Sequence, residues 1–171
     1  MHDTARETGR RILETYWQPE WRMILDFGSM NVNGTLREFC PQGATWIGVD
    51  LAPGLDVDRV VTAGEPLPFP AETFDMIVST SVFEHDPCFW ETFVELCRVT
   101  KPGGVIYINA PSNGKVHRHP MDCWRFYPDA AEGLRLWAER MGLGMEIVET
   151  EVCPEGGEGW ADFVAVFRRL G

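Results

Sequence analysis

Four short apolar runs constrain this chain more than anything else in it: Met23-Ile-Leu-Asp-Phe-Gly28, Trp46-Ile-Gly-Val-Asp50, Phe74-Asp-Met-Ile-Val-Ser79 and Gly104-Val-Ile-Tyr-Ile-Asn109. Each has strand length and stops at an acid, a small polar residue or a glycine. Strands that are apolar on both faces need helices over both, and the carboxyl ends of such parallel strands open on a ligand crevice. The runs therefore predict an α/β sheet that binds a cofactor. With 171 residues, 44% of them hydrophobic, the chain can bury a core without disulfides, and one domain spanning 1–171 is expected.

The intervening segments alternate with the runs. Asp3 to Trp17 reads as a polar helix with Ala5, Ile12, Leu13 and Tyr16 or Trp17 near helical spacing, ended by Pro19. Asn33-Gly34-Thr35 opens a short helix through Cys40, stopped by Pro41-Gln42-Gly43. After Asp50, the stretch Leu-Ala-Pro-Gly-Leu-Asp-Val-Asp leaves almost no room for a crossover helix before a third strand near Val57 to Val61. Asp86-Pro87 reads as a helix start with the acid as N-cap, and Phe89, Phe93, Val94, Leu96 and Cys97 form its apolar stripe, with Lys101-Pro-Gly-Gly104 as its end. A last helix from about Pro128 to Met141 precedes two strands, Met145 to Val152 and Trp160 to Phe167, joined by a turn-rich Pro154 to Gly159.

Composition removes several function classes. A formal net charge of −11, with no Lys or Arg cluster, repels a polyanion, so nucleic acid is not an expected partner. The five cysteines, at 40, 88, 97, 123 and 153, form no Cys-x-x-Cys pair and read as reduced thiols of a cytoplasmic protein. No apolar run approaches the roughly 20 residues that cross a bilayer, so no membrane partner is expected.

Taken in order from about Ile24 to Pro111, the segments resemble the sequence blocks of class I S-adenosylmethionine-dependent methyltransferases. The most specific stretch is Ala63-Gly-Glu-Pro-Leu-Pro-Phe-Pro70 followed by Phe74-Asp75. The resemblance implies a Rossmann-like, doubly wound, mostly parallel seven-stranded sheet with a terminal antiparallel strand, in a single minimal domain. It divides the chain into a leading helix (1–18), a cofactor-binding half (22–111) and a last part (112–171) that holds a substrate loop, a helix and a closing hairpin. S-adenosyl-L-methionine is the implied cofactor and a small polar molecule, such as a sugar or secondary metabolite, the implied acceptor.

The methionine end of that cofactor needs a close backbone approach, amide donors for its carboxylate and an acceptor for its ammonium. Asp26, Gly28, Ser29 and Asn33 stand where these are expected, although Met30 and Val32 occupy positions usually held by two further glycines. Asn33-Gly34 is the candidate for the turn those glycines would make. Asp50, with Leu51 after it, ends the second strand, where an acid accepts both ribose hydroxyls. Gly64 and Glu65 are the candidates near the adenine, since Ala63 stands where an acid is common in the family, and Ser79 closes the fourth strand toward the sulfonium. A dinucleotide would need Gly-x-Gly-x-x-Gly, whose second and third places hold Met30 and Asn33 here, so a nicotinamide oxidoreductase is disfavoured.

Methyl transfer to oxygen or nitrogen is an in-line displacement that needs alignment and the removal of one proton. His85, in Glu84-His85-Asp86-Pro87, and His119 are the candidate bases, imidazole titrating at about 6.5. His119, Asp122, Trp124 and Arg125 match a His-x-x-Asp-x-Trp-Arg-Phe block of a bacterial branch of the family, some members of which accompany sugar or polysaccharide biosynthesis. With Tyr127, a poor N-cap, Asp122, Trp124 and Arg125 are the candidate substrate contacts; equally, Trp124 and Phe126 anchor the loop while Asp122 and Arg125 form a local ion pair. His117, His119 and Cys123 lack the second Cys or His pair of a structural zinc site, and no metal is expected. The rival reading, resting on the altered glycine loop and the short crossover, is a non-catalytic cofactor-binding or partner subunit.

Overall fold

The computed structural model describes residues 3–153 and 159–171; of the predicted Pro154 to Gly159 turn, Pro154 to Glu158 lie outside them. The elements are α1 (Asp3–Tyr16), β1 (Met23–Phe27), a 3-10 turn (Leu36–Phe39), β2 (Thr45–Asp50), β3 (Arg59–Val60), β4 (Phe74–Thr80), α2 (Phe89–Val99), β5 (Thr100–Pro111), α3 (Asp129–Arg140), β6 (Met145–Val152) and β7 (Asp162–Arg169). They build a seven-stranded sheet in the order β3-β2-β1-β4-β5-β7-β6. β7 runs antiparallel to both β5 and β6, and the other pairings are parallel, as the resemblance implied.

Period-two alternation sends each strand's side chains to two apolar layers. Leu25, Ile77, Ile106, Ile108, Phe163 and Phe167 meet Phe93, Leu96 and Cys97 of α2 and Ala131, Leu134 and Ala138 of α3. Ile24, Met76, Val78, Val105, Tyr107 and Val166 meet Ile12 and Leu13 of α1 on the other face. The α1 stripe Ala5, Gly9, Ile12, Leu13 follows helical spacing, and Gly9 lets Leu36 pack against the helix backbone. Each large side chain so buried contributes about 1.5–3 kcal/mol. Asp75, of the Phe-Asp pair, accepts the Arg22 and Met23 amides at 2.9 Å each and Lys101 Nζ at 2.7 Å, which fixes where β1 begins.

Several boundaries differ from the sequence reading. The helix expected from Asn33 shrinks to one 3-10 turn, capped by Thr35, whose hydroxyl accepts the Arg37 amide at 3.1 Å. The third strand is only Arg59–Val60. α2 starts at Phe89 with Cys88 as N-cap; Asp86 stands outside the helix, where its carboxylate accepts the Cys88 amide at 2.8 Å and the Thr92 hydroxyl. Lys101 to Gly104 forms an irregularity inside β5, already paired at Thr100 with Phe74.

The short connection between β2 and β3 folds back on β2 at Gly48. The Gly48 amide donates to Asp58 Oδ2 at 2.7 Å, and the Asp58 amide donates to the Gly48 carbonyl at 2.9 Å. A Cβ at Gly48 would stand 2.2 Å from the Asp56 carbonyl oxygen and 2.6 Å from Ser29 Oγ. Gly48→Ala should therefore destabilise the protein by about 1–3 kcal/mol, read as a lower urea midpoint with an unchanged m-value; a midpoint equal to wild type would show that the connection does not rest on this notch.

Candidate functional site

The strand order reverses between β1 and β4, which places the crevice outside the carboxyl ends of β1, β2, β4 and β5. Gly28 opens the loop after β1 with φ +83°, and a Cβ there would fall 2.1 Å from Val82 Cγ2, so Val82 demands the glycine. The amides of Gly28 and Ser29 both donate to the Val49 carbonyl, at 2.9 and 3.0 Å. The two missing glycines are compensated from elsewhere. Met30 lies against Gly54, where an added Cβ would stand 3.1 Å from it, so the absent side chain has moved to the facing loop. Asn31, rather than Asn33, makes the turn: its Oδ1 accepts the Gly34 amide at 2.9 Å, its Nδ2 donates to Asp56 Oδ2 at 2.8 Å and its own amide donates to the Leu55 carbonyl at 3.0 Å. Asn33 is exposed. Ser29 Oγ donates to the Asp56 carbonyl at 3.1 Å.

Asp26 lies beneath this loop on the α1 face, buried, with Trp46 Nε1 donating to its Oδ2 at 3.2 Å. Burial pushes its carboxyl up to about 7, against the opposing pull of that hydrogen bond and of Arg37. Ser79 is buried in β4, its hydroxyl without a hydrogen-bond partner. Asp50 accepts the Met30 amide at Oδ2 (3.0 Å) and the Leu51 amide at Oδ1 (2.7 Å), so each oxygen keeps a lone pair for a further donor. Leu51 is 56% exposed beside it. The Val61 amide donates to the Asp50 carbonyl at 2.9 Å, and the chain then turns through Gly64 (φ +76°) and Glu65, both exposed.

The other half of the site follows β4. Ser81, with φ +56°, begins a turn that carries Glu84 inward and His85 toward the loop after β5. The Glu84 carbonyl accepts the Cys123 amide at 2.7 Å and the Trp124 amide at 3.3 Å, tying the two loops together. His85 Nδ1 lies 2.5 Å from the Met121 carbonyl, and the imidazoles of His117 and His119 stand 5.0 and 6.0 Å from that of His85. Burial lowers the His85 pKa and raises that of Glu84 to about 8.

The candidate substrate contacts form a brace. Arg125 Nη1 and Nη2 pair with Asp122 Oδ1 and Oδ2 at 2.5 and 2.9 Å, and Nη2 also donates to the Lys115 carbonyl at 2.9 Å. This ion pair holds the Asp122 carboxyl well below the usual range. Trp124 Nε1 donates to the Asp86 carbonyl at 3.0 Å, and its ring joins Phe89 and Trp90. The ion pair and the aromatic anchoring of the sequence alternative are both present, and a depression of about 220 Å³ lies over Gly114, Val116 and Asp122–Arg125. Tyr127 is 65% exposed, and Pro128 takes the N-cap position of α3. Among the described residues no helix is long and apolar enough to cross a membrane.

Sequence reasoning missed Asn31, Asp56 and Glu84. The Asn31-x-x-Gly34 spacing was a local turn signal; the role of Asp56 and the meeting of Glu84 with His117 exist only once the chain is folded.

Residues 25–108 match the methyltransferase domain family. An uncharacterized methyltransferase of Mycobacterium tuberculosis is 29% identical over 185 aligned residues, covering 85% of this chain and 72% of the relative. One of Mycobacterium leprae is 32% identical over 119 residues, covering 63% and 44%. Among solved structures, a Burkholderia thailandensis 1,6-didemethyltoxoflavin N1-methyltransferase with bound S-adenosylhomocysteine superposes with a TM-score of 0.75 at 17% identity, covering 99% of this chain and 80% of that one. The [4+2]-cyclase SpnF superposes at 0.71 and 15% identity, covering 97% and 82%. The strand order, the domain match over residues 25–108 and the curated relatives together support a class I S-adenosylmethionine-dependent methyltransferase.

Proposed function

We propose that the chain methylates an oxygen or nitrogen of a small, uncharged polar acceptor such as a sugar or secondary metabolite. The observation that carries this reading is the facing arrangement across one switch point: two carboxylates, Asp26 and Asp50, at the ends of β1 and β2, and three imidazoles beside the exit of β4. The residues fit the cofactor. Asp26 is a buried carboxyl short of a cation, Asp50 has acceptor capacity for two ribose hydroxyls, and Ser79 offers an unused hydroxyl near the end of β4. S-adenosylmethionine supplies an electrophilic methyl on a sulfonium.

In this reading Gly28, Ser29 and Asn31 shape the loop over the methionine end, with the exposed Asn33 at its rim, and Leu51, Gly64 and Glu65 border the adenine. Asp26 takes the ammonium. His85 or His119 accepts the acceptor's proton. Asp122, Trp124 and Arg125 hold the histidine loop in place, with Tyr127 on its exposed rim. A net charge of −11 and an Arg125 already committed to Asp122 favour a neutral hydroxyl over an anionic acceptor.

Three outcomes test this. Asp50→Asn should weaken S-adenosylmethionine binding at least tenfold, about 1.4 kcal/mol, by calorimetry. Asp26 sets the pH dependence: its folded carboxyl is mostly protonated below about 7, the cofactor ammonium favours the ionised form, and binding must expel that proton. Affinity should therefore rise with pH up to about 7 and level off above it, with proton release seen in buffers of different ionisation enthalpy and absent in Asp26→Asn. Turnover with a sugar acceptor should fall roughly 10²- to 10⁴-fold in whichever of His85→Ala and His119→Ala removes the base, with cofactor affinity retained. Cofactor binding with no turnover on any hydroxyl or amine acceptor would instead favour the partner-subunit reading.

A further inference from the structure

Glu84 is fully buried, and neither of its carboxylate oxygens has a hydrogen-bond partner. A carboxylate taken out of water without donors is costly unless a cation meets it. Two imidazoles turn toward it. A carbonyl oxygen only accepts, so His85 Nδ1, 2.5 Å from the Met121 carbonyl, carries that ring's proton and leaves a lone pair on Nε2. His117 Nδ1 faces two acceptors, Asp122 Oδ2 at 3.3 Å and the Lys115 carbonyl at 3.2 Å, which likewise leaves its lone pair on Nε2. Arg125 Nη2, 3.5 Å from the same Nδ1, already donates to Asp122 and Lys115. The two Nε2 atoms stand 3.5 and 3.8 Å from Glu84 Oε1, and one ligand atom from each of the three residues lies within 4.8 Å of the others.

We propose that Glu84, His85 and His117 form a binding site for a divalent transition metal of the zinc class, with at least one coordination position open to the crevice. Bonds of 2.0–2.1 Å in a tetrahedron put donor atoms about 3.3 Å apart, so the two distances from Glu84 close by a few tenths of an ångström, and the two imidazoles, whose ligand atoms lie within 4.8 Å of each other, close by up to about 1.5 Å through side-chain rotation. Both histidines already have the outer partners that metal-bound imidazoles use, a backbone carbonyl behind one and a carboxylate behind the other. Two His and one carboxylate leave room for a water or an acceptor hydroxyl, whose proton affinity the ion would lower; with His85 Nε2 on the ion, His119 is the candidate base that remains. That last role rests on the methyl-transfer reading; the binding of the metal does not. The sequence expectation of no metal looked for ligands close together in the chain, whereas Glu84 and His117 come from loops after different strands.

The test is metal binding by the full chain, without reference to turnover. The protein is stripped with a chelator, then titrated with Zn²⁺ and, separately, with Co²⁺. One equivalent of Zn²⁺ should survive gel filtration and raise the melting temperature. Co²⁺ should give visible d–d bands without a thiolate charge-transfer band. Glu84→Gln and His117→Ala should each lose the stoichiometric site, and Asp122→Asn, which alters the group behind His117 together with its ion pair to Arg125, should weaken it by roughly 10- to 100-fold. His117 is 31% exposed at its side chain, so its removal leaves a folded protein on which the loss can be read by circular dichroism. Cys88→Ser and Cys123→Ser should bind as wild type does. Less than a tenth of an equivalent in the wild type, or metal retained in both Glu84→Gln and His117→Ala, would overturn the proposal. Cofactor affinity is measured on the same preparations, so failure of the methyl-transfer reading shows separately from failure of the metal site.

Discussion

The cofactor half of this molecule depends on the way a short β2–β3 connection is folded back against β2. Crossovers between parallel strands usually carry a helix, whose packing sets the sheet edge and covers its face. Here eight residues between Asp50 and Arg59 do that work with hydrogen bonds in place of a helix. Asp58 accepts the Gly48 amide, Arg37 donates to Asp58 at 2.5 Å and to the Trp46 carbonyl at 2.9 Å, and Asp56, at φ +65°, receives Ser29 and Asn31. Gly48 leaves the notch into which the Asp56 carbonyl fits. The 3-10 turn that carries Arg37, the loop after β1 and the small strand β3 are all positioned through these few contacts.

This explains how a glycine-poor cofactor loop is held. In a loop with three glycines the backbone is free to curve around a ligand, and its shape comes from small size. In this chain the same path is specified by partners: Asn31 fastens the middle of the loop to Leu55 and Asp56, and Gly54 makes space for Met30. Flexibility has been exchanged for an external frame. The altered glycine pattern is thus matched by a second change, in the connection that frames the loop, and the two read as one adaptation.

The strands, their order and the acids at their ends were legible in the sequence because buried parallel strands are continuous apolar runs and their termini are chemically marked. Asp26 and Asp50 are where the runs said they would be. Helix starts were less legible. Asp86-Pro87 looks like an N-cap and N1 pair, yet Asp86 spends its carboxylate on the Cys88 amide and the Thr92 hydroxyl while its carbonyl receives Trp124, a demand made by a loop 38 residues away. Competition of this kind is tertiary and leaves no local trace. The same holds for Glu84, whose neighbour His85 suggested a loop brace but whose other imidazole comes from beyond β5. For Arg125 and Asp122 the three-residue spacing did admit an ion pair, and the structure forms it.

Two buried acids stand near the ends of adjacent strands with their carboxyls displaced upward by the same cause: Asp26, to about 7, in β1, and Glu84, to about 8, after β4. Structural acids in this protein are treated differently. Asp122 and Asp75 are each given a cation and amide donors, and both are driven downward. A chain that satisfies its framework carboxylates so fully, while leaving two at the switch point without a cation, has built a crevice whose unmet requirement is positive charge. A sulfonium donor with a free ammonium meets the first requirement, and a divalent ion held with two neutral imidazoles meets the second. Cationic ligands on both sides of the point where β1 and β4 part would also offset the net charge of −11 at the crevice.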